Sequence, residues 1–162
     1  MQELGLKNSY KIAVKYFIIT CAMVLLSCIQ VNAATTDNIK QSIITQSRAM
    51  GVEPAIMLSI AKAESGFRQE ARGTSGTVGV FQLMPSTAKR MGYNAYNLDE
   101  NIKAGITYYK NMYKTFGSME RAIAAYNLGP GAVQKSNGVP KAAQPFVTRV
   151  IKDYNYYKSQ NI

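Results

Sequence analysis

Apolar residues recur at helical spacing along most of the chain, and glycine and proline interrupt the pattern. The clearest stripe joins Ile102, Ile106, Tyr109, Tyr113 and Phe116, which are spaced 4, 3, 4 and 3 residues apart and therefore share one helical face. This stripe predicts a helix over about 99–116. Similar patterns bounded by glycine or proline predict five more helices, at about 37–50, 54–64, 85–92, 119–128 and 145–158. The sequence therefore predicts a mainly α fold.

Short polar residues and glycines predict where these helices begin and where they stop. Asp37, Asp99 and Ser118 are the expected N-caps, because their side-chain oxygens can accept the free backbone N–H groups of a first turn. Residues 66–82 lack helical periodicity and contain four glycines, namely Gly66, Gly73, Gly76 and Gly79. We expect a glycine-rich loop there, with a short β-hairpin as the alternative.

The N-terminal segment resembles a secretory signal peptide. Basic residues precede an apolar run over 16–29, and the small residues Ala33 and Ala34 follow it. The run is shorter than the roughly 20 residues that a membrane span needs. We therefore expect 1–33 to be removed on export and 34–162 to form one domain in the periplasm or cell envelope. The alternatives are an uncleaved anchor or a buried core helix, and lipidation of Cys28 is a less favoured route to the envelope.

The composition excludes several kinds of chemistry. The chain has no histidine, so neither a Ser–His nor a Cys–His nucleophile pair can form. Both cysteines, Cys21 and Cys28, fall in the predicted signal peptide, which leaves the domain without a disulfide or a cysteine metal site. We expect that the domain binds no metal and no cofactor and that it is a monomer.

The chain carries 19 Lys and Arg residues against 9 Asp and Glu residues, a net charge of +10. This excess favours a polyanionic neighbour such as nucleic acid, an anionic membrane or a bacterial cell wall. The cations are scattered over every predicted helix, and no nucleic-acid-binding motif accompanies them. Nucleic acid is therefore the least favoured of the three.

Glu64 occupies an unusual position for a carboxylate. It shares a helical face with Met57 and Ile60, and it lies in the last turn, where the helix dipole disfavours negative charge. Burial and the dipole should both raise its pKa, as a general acid requires. The alternative is an ordinary exposed glutamate paired with Lys62 or Arg68.

No second catalytic carboxylate is evident, because most other acids stand at predicted helix starts. Ordinary glycosidases use two carboxylates. If Glu64 cleaves a glycoside alone, the substrate itself must supply the nucleophile.

Most of the eleven tyrosines follow helical spacing and are expected in the core or at its rim, whereas Tyr93 and Tyr96 are better candidates for ligand contact.

Three segments together resemble the soluble, goose-lysozyme-like family of bacterial lytic transglycosylases. They are Ala63-Glu64-Ser65-Gly66-Phe67, then the run 79–88 (GVFQLMPSTA), then the run 125–131 (AYNLGPG). The resemblance covers roughly 39–157 and implies a lysozyme-like helical domain. It departs from the family at Arg68, where relatives often have Asn, and at Gly73, where they often have Ser.

The resemblance also implies roles for individual residues. Glu64 matches the single catalytic acid/base, Gln82 a glutamine that lines the glycan groove, and Tyr126 a tyrosine that hydrogen-bonds near the glutamate. Asn127 matches the structural partner of that tyrosine, and Ser65 a supporting helix-end residue. A loop-capping amide is the alternative for Gln82, and a core tyrosine is the alternative for Tyr126.

The implied activity is cleavage of peptidoglycan glycan strands between N-acetylmuramic acid and N-acetylglucosamine, with formation of a 1,6-anhydro ring. Such small enzymes often open the wall locally for secretion or conjugation machinery. The alternatives are a true hydrolase of the lysozyme kind and a non-catalytic glycan-binding assembly module.

Overall fold

The computed structural model describes residues 14–17, which form one helical turn, and residues 36–162. The chain divides into two units, Met1–Asn38 and Ile39–Ile162. The predicted cleavage site after Ala33 and the candidate lipidation site Cys28 lie outside the described residues. Among the helices that are described, none is both long enough and apolar enough to cross a membrane.

Residues 36–162 are mainly helical, as the periodicity predicts. The helices are α1 (residues 36–49), α2 (Pro54–Ser65), α3 (Pro85–Arg90), α4 (Leu98–Phe116), α5 (Met119–Leu128), α6 (Pro130–Gln134) and α7 (Gln144–Ser159), with a 3₁₀ turn at Lys141–Ala143. All six predicted helices are therefore present. The short α6 was not predicted, because Gly129-Pro130-Gly131 indicated only a break. Proline is well suited to the first position of a helix, and Pro130 in fact starts α6.

Two of the three predicted N-caps are wrong. Asp37 lies inside α1 rather than before it. Asn97, not Asp99, caps α4: its side chain accepts the backbone N–H of Glu100 at 3.0 Å, and Asp99 falls in the first turn. Ser118 caps α5 as predicted, since its hydroxyl accepts the backbone N–H of Arg121.

Helix α2 forms the centre of the core. Every residue from Pro54 to Ala61 is buried, so this helix is apolar on all sides rather than on one stripe. It packs on α7, while α5 packs on α4, α6 and α7. The last turn of α2 leaves the core, where Lys62 is exposed and Glu64 is half-buried. Gly66 ends the helix in a left-handed conformation, with φ +62°.

A loop without regular strands, over residues 66–84, connects α2 to α3. Two isolated antiparallel bridges, Arg72 with Val78 and Val78 with Leu83, fold it back on itself. Phe81, fully buried, fixes the loop against α4, where Gly105 leaves room for the ring. The loop therefore lies beside the end of α2 that carries Glu64.

Candidate active site

The Glu64 carboxylate stands at the end of α2 in a half-buried position, and no charged group pairs with it in the described part of the chain. Burial raises the pKa of Glu64 from 4.5 to about 7, and the positive charge of Arg149 on α7 acts in the opposite direction. Neither of the two expected partners is available. Lys62 forms an ion pair with Asp153 at 2.6 Å, and the Arg68 side chain donates to the backbone oxygen of Ser65. Glu64 is therefore a half-buried carboxyl group with a raised pKa and no ion-pair partner among the described residues, and its role as the acid stays a prediction.

Four of the five predicted site residues line one cleft of about 330 Å³. They are Glu64 from α2, Gln82 from the loop, and Tyr126 and Asn127 from the end of α5. The remaining lining residues are Thr77, Leu83, Met84, Thr87, Tyr108 and Gly129. Glu64 is the only carboxylate among them, and Asn127 is exposed at the rim.

Gln82 faces the cleft, but its amide groups are bonded to the loop itself. The side-chain nitrogen donates to the backbone oxygen of Gly79 at 2.8 Å and to that of Ala71 at 3.2 Å. The side-chain oxygen accepts the Thr77 hydroxyl at 2.8 Å. The amide therefore holds the loop in shape and also borders the cleft, and its contact with a glycan stays a prediction.

The departure at Gly73 has a physical reason in this same cluster. A β-carbon at Gly73 would lie 2.1 Å from the Thr77 hydroxyl oxygen and 3.0 Å from the Gln82 side-chain oxygen. A serine could not stand at this position while Thr77 keeps its hydrogen bond to Gln82. The hydrogen-bonded position of Thr77 therefore requires a glycine at position 73.

Tyr126 is buried, and its hydroxyl donates to the backbone oxygen of Phe81 at 2.9 Å. Burial, with the negative charge of Glu64 nearby, holds the pKa of Tyr126 well above its ordinary value. Its ring meets that of Tyr108 edge to face, with centroids 5.1 Å apart. Tyr126 therefore lies at the wall of the cleft as a neutral phenol whose hydrogen fixes the loop.

Ser65 lies beneath the cleft rather than on its surface. Its buried hydroxyl donates to the backbone oxygen of Val80 at 2.8 Å and accepts the backbone N–H of Arg68 at 3.1 Å. These bonds join the end of α2 to both ends of the loop. The supporting role that the resemblance implies for Ser65 is consistent with this geometry.

Sequence reasoning missed Asn101, the strongest anchor of the loop. This fully buried side chain accepts the backbone N–H of Phe81 at 2.9 Å and donates to the backbone oxygens of Val78 and Ala95, also at 2.9 Å. Tyr108, which lines the cleft, was not predicted either. The sequence does contain a pattern that indicates both residues. A second stripe on α4, spaced 4 and 3 residues apart and facing the loop and the cleft, consists of Asn101, Gly105 and Tyr108.

Tyr93 and Tyr96 do not join this site. They line a different cleft, between the end of α3 and the start of α4. Within the described residues, no group of three or more Cys, Asp or Glu side chains is placed to hold a metal ion.

Comparison with known proteins supports the sequence resemblance. The family described as the Transglycosylase SLT domain matches residues 41–146. The transglycosylase of Enterobacteria phage PRD1 is 27% identical over 116 residues, which are 71% of this chain and 42% of the phage protein. The membrane-bound lytic murein transglycosylase C of Actinobacillus pleuropneumoniae serotype 5b is 28% identical in an alignment of 109 residues that covers 55% of this chain and 30% of that protein. The chain thus matches less than half the length of these relatives.

Solved structures share the fold. The lytic transglycosylase Slt of Pseudomonas aeruginosa, solved as an inactive mutant, superposes with a TM-score of 0.65 at 24% identity, over 74% of this chain and 24% of that one. The 70 kDa soluble lytic transglycosylase of Escherichia coli gives a TM-score of 0.67 at 24% identity over the same shares. The mainly α, lysozyme-like fold predicted from the sequence is thereby confirmed. Because the family match spans well over half of the sequence, the chain belongs to the Transglycosylase SLT domain family.

Proposed function

We propose that this chain is a peptidoglycan lytic transglycosylase, in which Glu64 cleaves the β-1,4 bond between N-acetylmuramic acid and N-acetylglucosamine. The observation that carries the proposal is the isolation of Glu64. It is the one carboxylate among the residues that line the cleft, and its pKa is raised to about 7. A cleft with a single acid favours a reaction in which one group both gives and takes the proton.

The reaction balances without a second protein carboxylate and without water. Protonated Glu64 donates its proton to the glycosidic oxygen, and the bond from that oxygen to C1 of the muramic acid breaks. The oxygen of the substrate's own 2-acetamido group stabilises the electron-poor C1. The Glu64 carboxylate then takes the proton of the 6-hydroxyl, whose oxygen bonds to C1 and closes the 1,6-anhydro ring. Glu64 ends protonated, ready for the next cycle.

The neighbours of Glu64 suit this double role. The Tyr126 hydroxyl is committed to the Phe81 carbonyl, and the Gln82 amide is committed to the loop, so neither is free to take over the proton transfer. A pKa of about 7 leaves both protonation states of Glu64 accessible near neutral pH. The supporting positions of Ser65 and Asn127 belong to the same proposal.

We further propose that the enzyme acts at the cell envelope as a monomer and opens the wall locally for secretion or conjugation machinery. The predicted signal peptide at 1–33 supports export. Its removal takes away three lysines and one glutamate, and the remaining net charge of +8 (10 − 2) would hold the protein near the anionic wall. An envelope location also fits the membrane-bound relative.

The products of sacculus digestion test the chemistry. We expect the purified protein to release muropeptides that mass spectrometry finds one water lighter than the corresponding lysozyme products. Reducing-end products of ordinary mass would instead show a hydrolase. Binding to sacculi without any release would favour the glycan-binding module.

The cleavage rate should also depend on pH in a way that reports Glu64. Because the acid form starts the reaction, kcat/KM should fall as pH rises through about 7. Arg149→Gln removes a positive charge that lowers this pKa, so the fall should move to higher pH. Lys152→Gln, an exposed charge change on the same helix, is the matched control and should leave the profile in place. If the pH dependence of kcat/KM is the same in Arg149→Gln as in the parent protein, the assignment of this ionisation to Glu64 is contradicted.

A further inference from the structure

The cleft that contains Tyr93 and Tyr96 is larger than the one around Glu64, at about 520 Å³. It lies between the end of α3, the segment 92–96 and Glu100 of α4. Tyr96 is 58% exposed, and the Arg72 guanidinium lies 5.5 Å from the centre of its ring. A volume of this size is typical of sites for small ligands.

The two clefts lie on opposite faces of α3. Met84 and Thr87 line the Glu64 cleft, whereas Pro85 and Lys89 line the second. At helical spacing these two pairs point in nearly opposite directions. The clefts are therefore separated by about one helix diameter, roughly 10 Å, which an extended chain of about three residues can span.

The charges of the second cleft favour an anionic ligand. Lys89 is exposed, and within residues 36–162 no carboxylate pairs with it. Arg72 does not line the cleft itself but places a second cation beside Tyr96, where its Nη1 donates to the backbone oxygens of Gln69 and Ala71. The one carboxylate of the cleft, Glu100, keeps its negative charge and accepts the backbone N–H of Asn94 at 2.7 Å through Oε2, so Lys89 and Arg72 together still leave an excess of one positive charge.

We propose that this second cleft binds the carboxylate-bearing peptide stem that branches from the glycan strand, with Lys89 and Arg72 facing its carboxylates and Tyr96 packing on its aliphatic parts. The inference rests on the proposed function, since the glycan would occupy the Glu64 cleft. A side branch fits better than a continuation of the glycan, because α3 lies between the two clefts and the ligand must cross it.

Direct binding tests the site without any catalysis. The probe is the glycan-free stem tripeptide, L-alanyl-γ-D-glutamyl-diaminopimelate, titrated into the protein while NMR follows the rings of Tyr93 and Tyr96. We expect these signals to shift, and Lys89→Gln to weaken the binding about tenfold. Lys152→Gln is the control for the charge change and should bind normally. The proposal is overturned if the tyrosine signals do not move, or if both variants bind like the parent protein.

Cleavage then separates a peptide site from a glycan site. Tyr96→Ala should raise KM several-fold for peptide-bearing strands and leave the cleavage of peptide-stripped strands unchanged. Tyr156→Ala is the matched control for Tyr96→Ala, since Tyr156 is also 58% exposed and also has a cation, Lys62, near its ring. An equal loss on both substrates would overturn the proposal in favour of a glycan site. If the parent protein cleaves neither substrate, the proposed function fails, and the peptide titration still decides the second cleft.

Discussion

Replacing Glu64 by glutamine should lower the rate of glycan cleavage by about a thousandfold or more, because the same carboxyl group is proposed to donate and to accept the proton. Glutamine keeps the size and much of the polarity of the side chain but cannot carry a proton between the two oxygens. The rate is measured as release of soluble muropeptides from sacculi. Glu70→Gln makes the same chemical change at an exposed loop position outside the cleft and should cleave at the parent rate.

The same variant should be more stable than the parent at high pH. Below 4.5 the carboxyl group is protonated both in the folded and in the unfolded chain, so it has no effect on pH dependence there. Between 4.5 and about 7 the unfolded chain releases the proton while the buried group retains it, and the folded state loses stability as pH rises. The loss is complete above about 7 and amounts to about 3 kcal/mol.

Glu64→Gln removes this loss, so its advantage in the free energy of unfolding should be larger at pH 8 than at pH 4. Denaturant unfolding at the two pH values measures it. An inactive variant with this gain would show that activity was lost by chemistry and not by unfolding. Parent-like cleavage by Glu64→Gln would refute the proposed mechanism outright.

Replacing Gly105 by alanine should destabilise the protein by about 3 kcal/mol, at the upper end of what overpacking costs. The new β-carbon would lie 2.3 Å from the ring of Phe81, which is fully buried. The ring cannot simply move aside, since the backbone of Phe81 is held on both sides, by Asn101 at its nitrogen and by Tyr126 at its oxygen. Any relief must displace the loop that borders the cleft, so cleavage should fall as well.

Gly131→Ala is the matched control for this substitution. Gly131 also lies in a helix, and a β-carbon there would meet nothing within 4 Å. Alanine should be neutral at this position or stabilise the protein by up to about 1 kcal/mol, because glycine is the poorer helix former. Chemical denaturation of both variants makes the comparison. Equal stability of the two would mean that Phe81 does not pack against α4 as described.

The parts of the structure that follow from local patterns could be predicted from the sequence. The stripe from Ile102 to Phe116 predicted α4, and the apolar neighbours of Glu64 predicted its half-buried position. The α4 cap was misassigned because Asn97 and Asp99 are both competent caps two residues apart, and only the fold of the preceding segment decides between them. Local patterns in this way predict elements better than their boundaries.

The contacts between distant segments could not be predicted. In the sequence, Asn101 is one more polar residue within a predicted helix. In the structure, its side chain accepts the backbone N–H of Phe81, which lies twenty residues earlier in the chain. Tyr93 and Tyr96 were expected to contact ligand, but nothing local indicates that α3 separates them from Glu64. Such separations depend on how helices pack, which the spacing within one helix does not encode.

The loop beside Glu64 packs through buried side chains such as Phe81, but its polar links to the helices go through its backbone. Ser65, Asn101 and Tyr126, from three different helices, bind the backbone atoms of Val78, Val80 and Phe81. Since these anchors recognise peptide groups, the exposed side chains of Thr74 and Ser75 can be changed at little cost to the scaffold, whereas Gly76, with φ +82°, holds a left-handed backbone conformation that favours glycine. The outer surface of the loop can thus vary in shape and polarity while the acid at the end of α2 stays in place.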